Sequence, residues 1–184
     1  MRWSLGWPRT PPDCATWSRH AMTADPAHVE GVTDTYRIDL PTAPSEPATA
    51  FDRAVDRLFR YDIFPPKLMR AHVCTPDRRI LPDAVVIQRV RVGLPIIESA
   101  VRVVDVWHRH TEDSEEAGFA YVTLDGHPER GISRFRVVRE GSSVRFESEA
   151  ISRPGSLLTS IGRPIARRFQ RDASGAALRH FAGG

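Results

Sequence analysis

The sequence predicts an α+β domain in which a curved antiparallel sheet of about six to seven strands wraps one long C-terminal helix. Three observations predict it. Alternation of apolar and polar residues runs through several segments between residues 35 and 152. One stripe at i, i+4, i+7 and i+8, made of Phe51, Val55, Leu58 and Phe59, interrupts that pattern near its start. A second helical stripe, Leu157, Leu158, Ile161, Ile165 and Phe169, follows it near the end. Period two marks half-buried strands and period 3.6 marks amphipathic helices. A sheet with one apolar face must bury that face, and the terminal helix is the simplest cover. Space left between the two becomes a pocket, an arrangement known as a helix grip.

Each element has its own signal. Thr35 to Leu40 alternates like a strand, and a loop rich in Pro and small residues runs from Pro41 to Pro47. In the helix that follows, Asp52, Arg53, Asp56, Arg57 and Arg60 lie mostly away from the apolar stripe, and Pro65-Pro66 ends it. Strands are expected over 69–75, 84–92, 96–108, 118–125, 131–140 and 143–152. In the last, Val144, Phe146, Ser148 and Ala150 take one face, while Arg145, Glu147 and Glu149 take the other. Ser156 is the expected cap of the long helix, and Gly175 breaks it before a short turn over 176–181.

Residues 1–31 differ from the rest. They hold Trp3, Trp7 and Trp17 of the four tryptophans, together with Pro8, Pro11, Pro12 and Pro26, and show no periodicity. They read as a disordered or loosely packed tail ahead of a single domain over 32–184, with Met22 as an alternative start. An arm that packs its tryptophans on a partner is the sharper alternative. On the first reading, deleting 1–31 leaves a folded domain.

Composition narrows the class. The chain has 184 residues, 41% hydrophobic and 27% charged, which excludes general disorder and fits one domain. No run of about 18 apolar residues exists, so no membrane span is expected. The net charge is +3, and Lys67 is the only lysine among 26 basic residues. The arginines are spread from Arg2 to Arg179 and not clustered, so no nucleic-acid partner is expected. Cys14 and Cys74 lie far apart with no CxxC pair, which signals neither a zinc site nor a disulfide framework. Free thiols and the lack of an apolar leader lead us to expect a cytoplasmic protein.

Two stretches carry a resemblance. One is Phe119-Ala-Tyr-Val-Thr-Leu-Asp-Gly-His-Pro-Glu-Arg-Gly131. The other is Ala150-Ile-Ser-Arg-Pro154 followed by residues 161–170. Over roughly 35–172 the chain resembles the bacterial and plant family called domain of unknown function nineteen-ninety. Its element order is similar to the START and Bet v 1 helix-grip superfamily. That superfamily includes lipid carriers, polyketide aromatases and cyclases, and plant ligand-binding proteins. The resemblance implies no agreed activity.

Several residues are candidates for chemistry. His127 and Glu129 flank Pro128, and an imidazole beside a carboxylate can do general acid–base work. The same residues also read as a tight turn set by Gly126, Pro128 and Gly131. Tyr121 and Thr123 share one strand face, where Tyr121 can donate to a ligand carbonyl. In the long strand, Ile97, Ser99, Val101, Val103, Asp105 and Trp107 form the more apolar face, which makes Asp105 and Trp107 pocket residues. Phe146, Ser148, Ile165 and Phe169 complete the expected ligand-binding set. His108 and His110 before the acidic run over 112–116 have poor metal spacing and read as a solvated hairpin. Arg153 before Pro154 is either an anion clamp or a salt bridge. No nucleotide-binding loop or nucleophile elbow is present, so neither a cofactor nor a metal is expected.

The expected function is binding of a small hydrophobic or polyketide-like molecule. An enzymatic version is a cofactor-independent cyclase that orients a flexible chain. The alternatives are a non-catalytic carrier and a structural or interaction protein with a filled core. A homodimer is left open.

Overall fold

A computed structural model describes residues 1–43, 46–154 and 175–183. Among the described residues, ten elements precede the C-terminal helix: β1 (Arg2–Ser4), α1 (Cys14–Trp17), β2 (Val32–Asp39), α2 (Pro47–Phe59), β3 (Met69–Val73), β4 (Val85–Arg91), β5 (Ile96–His110), β6 (Ser114–Thr123), β7 (Glu129–Glu140) and β8 (Ser143–Pro154). The helix α3 covers 175–182. It is short and falls where the sequence predicts a short turn over 176–181, after the expected long helix. The whole predicted helical stripe over 157–169, with Ile165 and Phe169, lies outside the described residues, as do Arg163, Arg167, Arg168 and Arg171.

One antiparallel sheet carries the fold in the order β2-β8-β7-β6-β5-β4-β3, with β1 paired to β5 off that path. The long strand β5 explains the branch. Its pairing with β6 runs from Val101 to His110, so its first residues lack a partner on that side. There β1 supplies one, Arg2 to Ser4 lying opposite Glu98 to Ile96. The hairpins are tight because the turns suit them. Gly141, at φ +56°, sits between β7 and β8 in a conformation that costs a glycine little.

The inner face of the sheet carries Val86, Val101, Val103, Phe119, Tyr121, Phe135, Val137, Val144 and Phe146. Helix α2 lies across β6, β7 and β8 and adds Phe51, Ala54 and Leu58 to that core. Pro47 opens α2, where its missing N–H is no loss. Helix α3 closes the same side, with Phe181 stacked on Phe146 at 4.2 Å between ring centroids. Arg57 of α2 holds α3 in place. Its guanidinium donates to the carbonyls of Phe181 (2.8 Å) and His180 (3.2 Å) and lies over the Phe181 ring.

The outer face is not simply wet. Over β6, β7 and β8 it carries ion pairs, Arg136 bridging Glu116 and Glu147, and Arg145 bridging Glu140 and Glu147. Over β4 and β5 it carries Val85, Ile87 and Ala100 beside the largely buried Arg89–Glu98 ion pair, and the first 31 residues cover it. Trp17 of α1 is buried against Val85, Ile87, Ala100 and Leu124. Ala24 and Val29 pack with Ala120, Val122 and Ile132. The segment that reads as a loose tail therefore contributes β1, α1 and a fully buried tryptophan.

The cysteines also differ from expectation. Cys14 of α1 and Cys74, just after β3, form a disulfide across a separation of 60 residues. The sequence reading of two free thiols is corrected here. Linear spacing carried no signal, because it is the path of residues 1–31 over the sheet that brings α1 to the end of β3.

Candidate functional site

The inner face holds one group of buried polar side chains amid its aromatic residues. The side-chain amide of Gln88 donates to the Tyr61 hydroxyl at 2.6 Å, and both residues are buried. The Tyr61 hydroxyl also interacts with Tyr121, itself 8% exposed. Burial, reinforced by Tyr121, pushes the Tyr61 phenol well above its ordinary range. It stays protonated and acts as a donor, not a base. Around this group stand Phe64, Phe119 and Phe135, with centroids 6.0–6.5 Å from the Tyr61 ring. Tyr61 follows α2 directly and sits at φ +58°, a conformation uncommon for a residue with a Cβ. That turn aims its ring at the sheet, where it is buried.

The other expected site residues fall in different places. Phe146 lies in the inner core, and Ser148 is half-buried two residues further along β8, opposite Phe135 and Tyr36 in register. Thr123 is buried, but its hydroxyl is engaged. It accepts from the Gly131 amide at 3.0 Å and shares a 2.5 Å hydrogen bond with Thr23.

Asp105 and Trp107 do not face the interior. The β5–β6 register shifts between Val103 and Asp105, and this β-bulge inverts the facing of everything beyond it. Val101 and Val103 point inward as the alternation says, but after the bulge Val106 joins the inner core and Trp107 the outer cluster. Asp105 is exposed. The Trp107 indole N–H donates to Glu116 at 2.6 Å, and its ring lies over Gly118. A one-residue insertion in a period-two element flips every later side chain.

His127 sits in the β6–β7 turn, whose first bond runs from its own N–H to the Leu124 carbonyl at 2.9 Å. The Glu129 amide donates to its Nδ1 at 3.1 Å. The same Nδ1 lies 3.0 Å from the Glu129 carbonyl oxygen, so the ring is tied to the Glu129 backbone. Burial lowers the imidazole to about 4, so it is neutral at pH 7. His127 is thus part of the turn. At the far end of the sheet, His108 pairs across the hairpin with Glu115 at 2.8 Å, and Glu115 also receives Arg139.

Sequence reading identified Tyr121 and missed Tyr61 and Gln88. Gln88 follows Val85, Val86 and Ile87, a run without alternation, so no face could be assigned to it.

The comparisons agree with this architecture. A family model described as domain of unknown function (DUF1990) matches residues 17–180, and the chain belongs to that family. No curated protein matches it. Among solved structures, a hypothetical protein from Helicobacter pylori is 8% identical with a TM-score of 0.57. That match covers 98% of this chain and 95% of the other. The KanY protein is 9% identical with a TM-score of 0.54, over 83% and 96% of the two chains. A ginseng major latex-like protein from Panax ginseng is 11% identical with a TM-score of 0.46, over 80% and 97%. At these identities the first two share the fold and nothing finer. No helix among the described residues is long and apolar enough to cross a membrane.

Proposed function

We propose that this protein binds a small hydrophobic, polyketide-like molecule between the inner sheet face and its helices, with Tyr61, Gln88 and Tyr121 fixing the polar end of that molecule. The observation that carries this reading is the buried Gln88–Tyr61 hydrogen bond beside Tyr121 in an otherwise aromatic interior. Ligand sites have this make-up, mostly apolar walls with a few convergent polar groups. A ligand carbonyl or hydroxyl can take the place of one internal partner without leaving a buried group unpaired. Ser148 supports it too, as a small residue on the face that also carries Val144, Phe146 and Ala150.

The cyclase version rests on the same geometry. Folding a flexible chain against aromatic walls lowers a barrier through proximity and orientation alone. Tyr121 then donates to a carbonyl that gains negative charge. A carrier needs only the binding half.

The test is uptake of an apolar dye, with native mass spectrometry for a retained molecule. Wild-type protein is expected to take up the dye. Ser148→Phe is expected to remain folded and abolish uptake, while Tyr121→Phe weakens a carbonyl-bearing probe by about tenfold, the worth of one hydrogen bond of ~1.4 kcal/mol. If wild type takes up no dye and Ser148→Phe melts far lower, the interior is filled and the protein is structural.

A further inference from the structure

The strongest feature outside that interior is the place where α1 meets β3. His72 and Cys74 are two apart at the end of β3, so the pleat puts both side chains on one face. That face is the outer one, since His72 lies opposite Ile87 of the outer cluster. Cys14, in α1, comes down on the same spot. One donor atom from each of Cys14, His72 and Cys74 lies within 4.8 Å of the other two, and all three residues are half-buried. Two sulfurs and an imidazole nitrogen are the donors that zinc and its soft relatives prefer.

We propose that the reduced chain holds one soft divalent ion, zinc being the reference case, on Cys14, His72 and Cys74, and that this ion and the disulfide are alternative clasps for α1. The chemistry balances as follows. A dithiol reductant gives two electrons and two protons to the Cys14–Cys74 bond and leaves as its own cyclic disulfide. Binding of the ion then releases the two thiol protons. Two thiolates neutralise the dication, the neutral His72 ring supplies the third bond, and a water can take the fourth tetrahedral position. Thiolates that share a zinc stand about 3.8 Å apart, from Zn–S bonds of about 2.3 Å. The present spacing of the three donors thus needs only small side-chain rotations.

The consequence lies in the fold. Trp17 is three residues from Cys14 in the same short helix. Whatever joins Cys14 to β3 keeps Trp17 seated on Val85, Ile87, Ala100 and Leu124. The disulfide serves where thiols are oxidised, and the ion serves where they are reduced.

The experiment uses the full chain, reduced with a dithiol and freed of it under anaerobic conditions. Zinc is titrated calorimetrically and cobalt(II) by absorbance. One ion per chain is expected, with thiolate-to-cobalt charge-transfer absorption. His72→Gln is expected to weaken zinc binding at least tenfold, and the double variant Cys14→Ser, Cys74→Ser to abolish the charge-transfer band. His72→Gln keeps the disulfide, so its oxidised form serves as the folding control and should melt as wild type does. Reduced wild type that binds no stoichiometric ion, or zinc affinity unchanged in a folded His72→Gln, overturns the proposal.

Discussion

Replacing Trp17 with alanine tests whether residues 1–31 belong to the domain. The side chain is 2% exposed and packs on Val85, Ile87, Ala100 and Leu124. Its indole N–H donates to Glu98 at 3.3 Å, and Glu98 is also held by Arg89 at 2.8 Å. Truncating a buried tryptophan to alanine costs about 3–5 kcal/mol, from lost transfer energy and the cavity left behind. Glu98 keeps Arg89, so it is not stranded as an unpaired buried charge. In a domain of this size each kcal/mol lowers Tm by about 2–4 °C, which gives a fall of roughly 6–20 °C. Trp17→Phe keeps most of the apolar bulk and loses the N–H, at about 1 kcal/mol or roughly 2–4 °C. The assay is thermal and urea unfolding of oxidised protein, with equal urea slopes as the sign that the denatured state is unchanged. Deleting residues 1–31 should cost at least as much as Trp17→Ala, because β1 and the disulfide go with it. A Trp17→Ala protein that melts within 2 °C of wild type would refute the reasoning and return residues 1–31 to the status of a tail.

Two other outcomes follow from single residues. His127 is depressed from 6.5 to about 4 by burial, so between those values the unfolded chain binds more protons than the folded one. The stability it protects is complete above pH 6.5 and is lost as pH falls toward 4; urea unfolding from pH 7 to 4.5 should therefore show a steeper decline for wild type than for His127→Gln, and parallel curves would count against a buried neutral ring. Gly118 lies opposite Trp107 in register, and a Cβ there would meet the Phe135 carbonyl oxygen at 2.5 Å and the indole at 2.6 Å. Gly118→Ala should destabilise by about 1–3 kcal/mol, as overpacking does, and a neutral result in thermal melting would mean that Trp107 does not sit over that glycine.

The local elements were legible because local pattern determines them. The stripe of Phe51, Val55 and Leu58 does bury one face of α2, and the alternation of Val144 and Phe146 with Arg145 and Glu147 does separate the two sides of β8. The family was legible from the glycine-His-Pro-Glu turn, a short motif with fixed geometry. Three things depended on tertiary structure. The bulge after Val103 changed which of Asp105, Val106 and Trp107 face inward, and nothing in an alternating sequence marks where one residue is added to the count. Residues 1–31 cover the outer face of β4 and β5, so the start of β4 is buried on both sides and reads as a continuous apolar run; Gln88 could not be placed within such a run. Tyr61 reaches Gln88, and Cys14 reaches His72 and Cys74, across 27 and about 60 residues of chain. Periodicity reports the environment along one element, while a buried hydroxyl pair or a cluster of sulfur and imidazole exists only where separate elements meet.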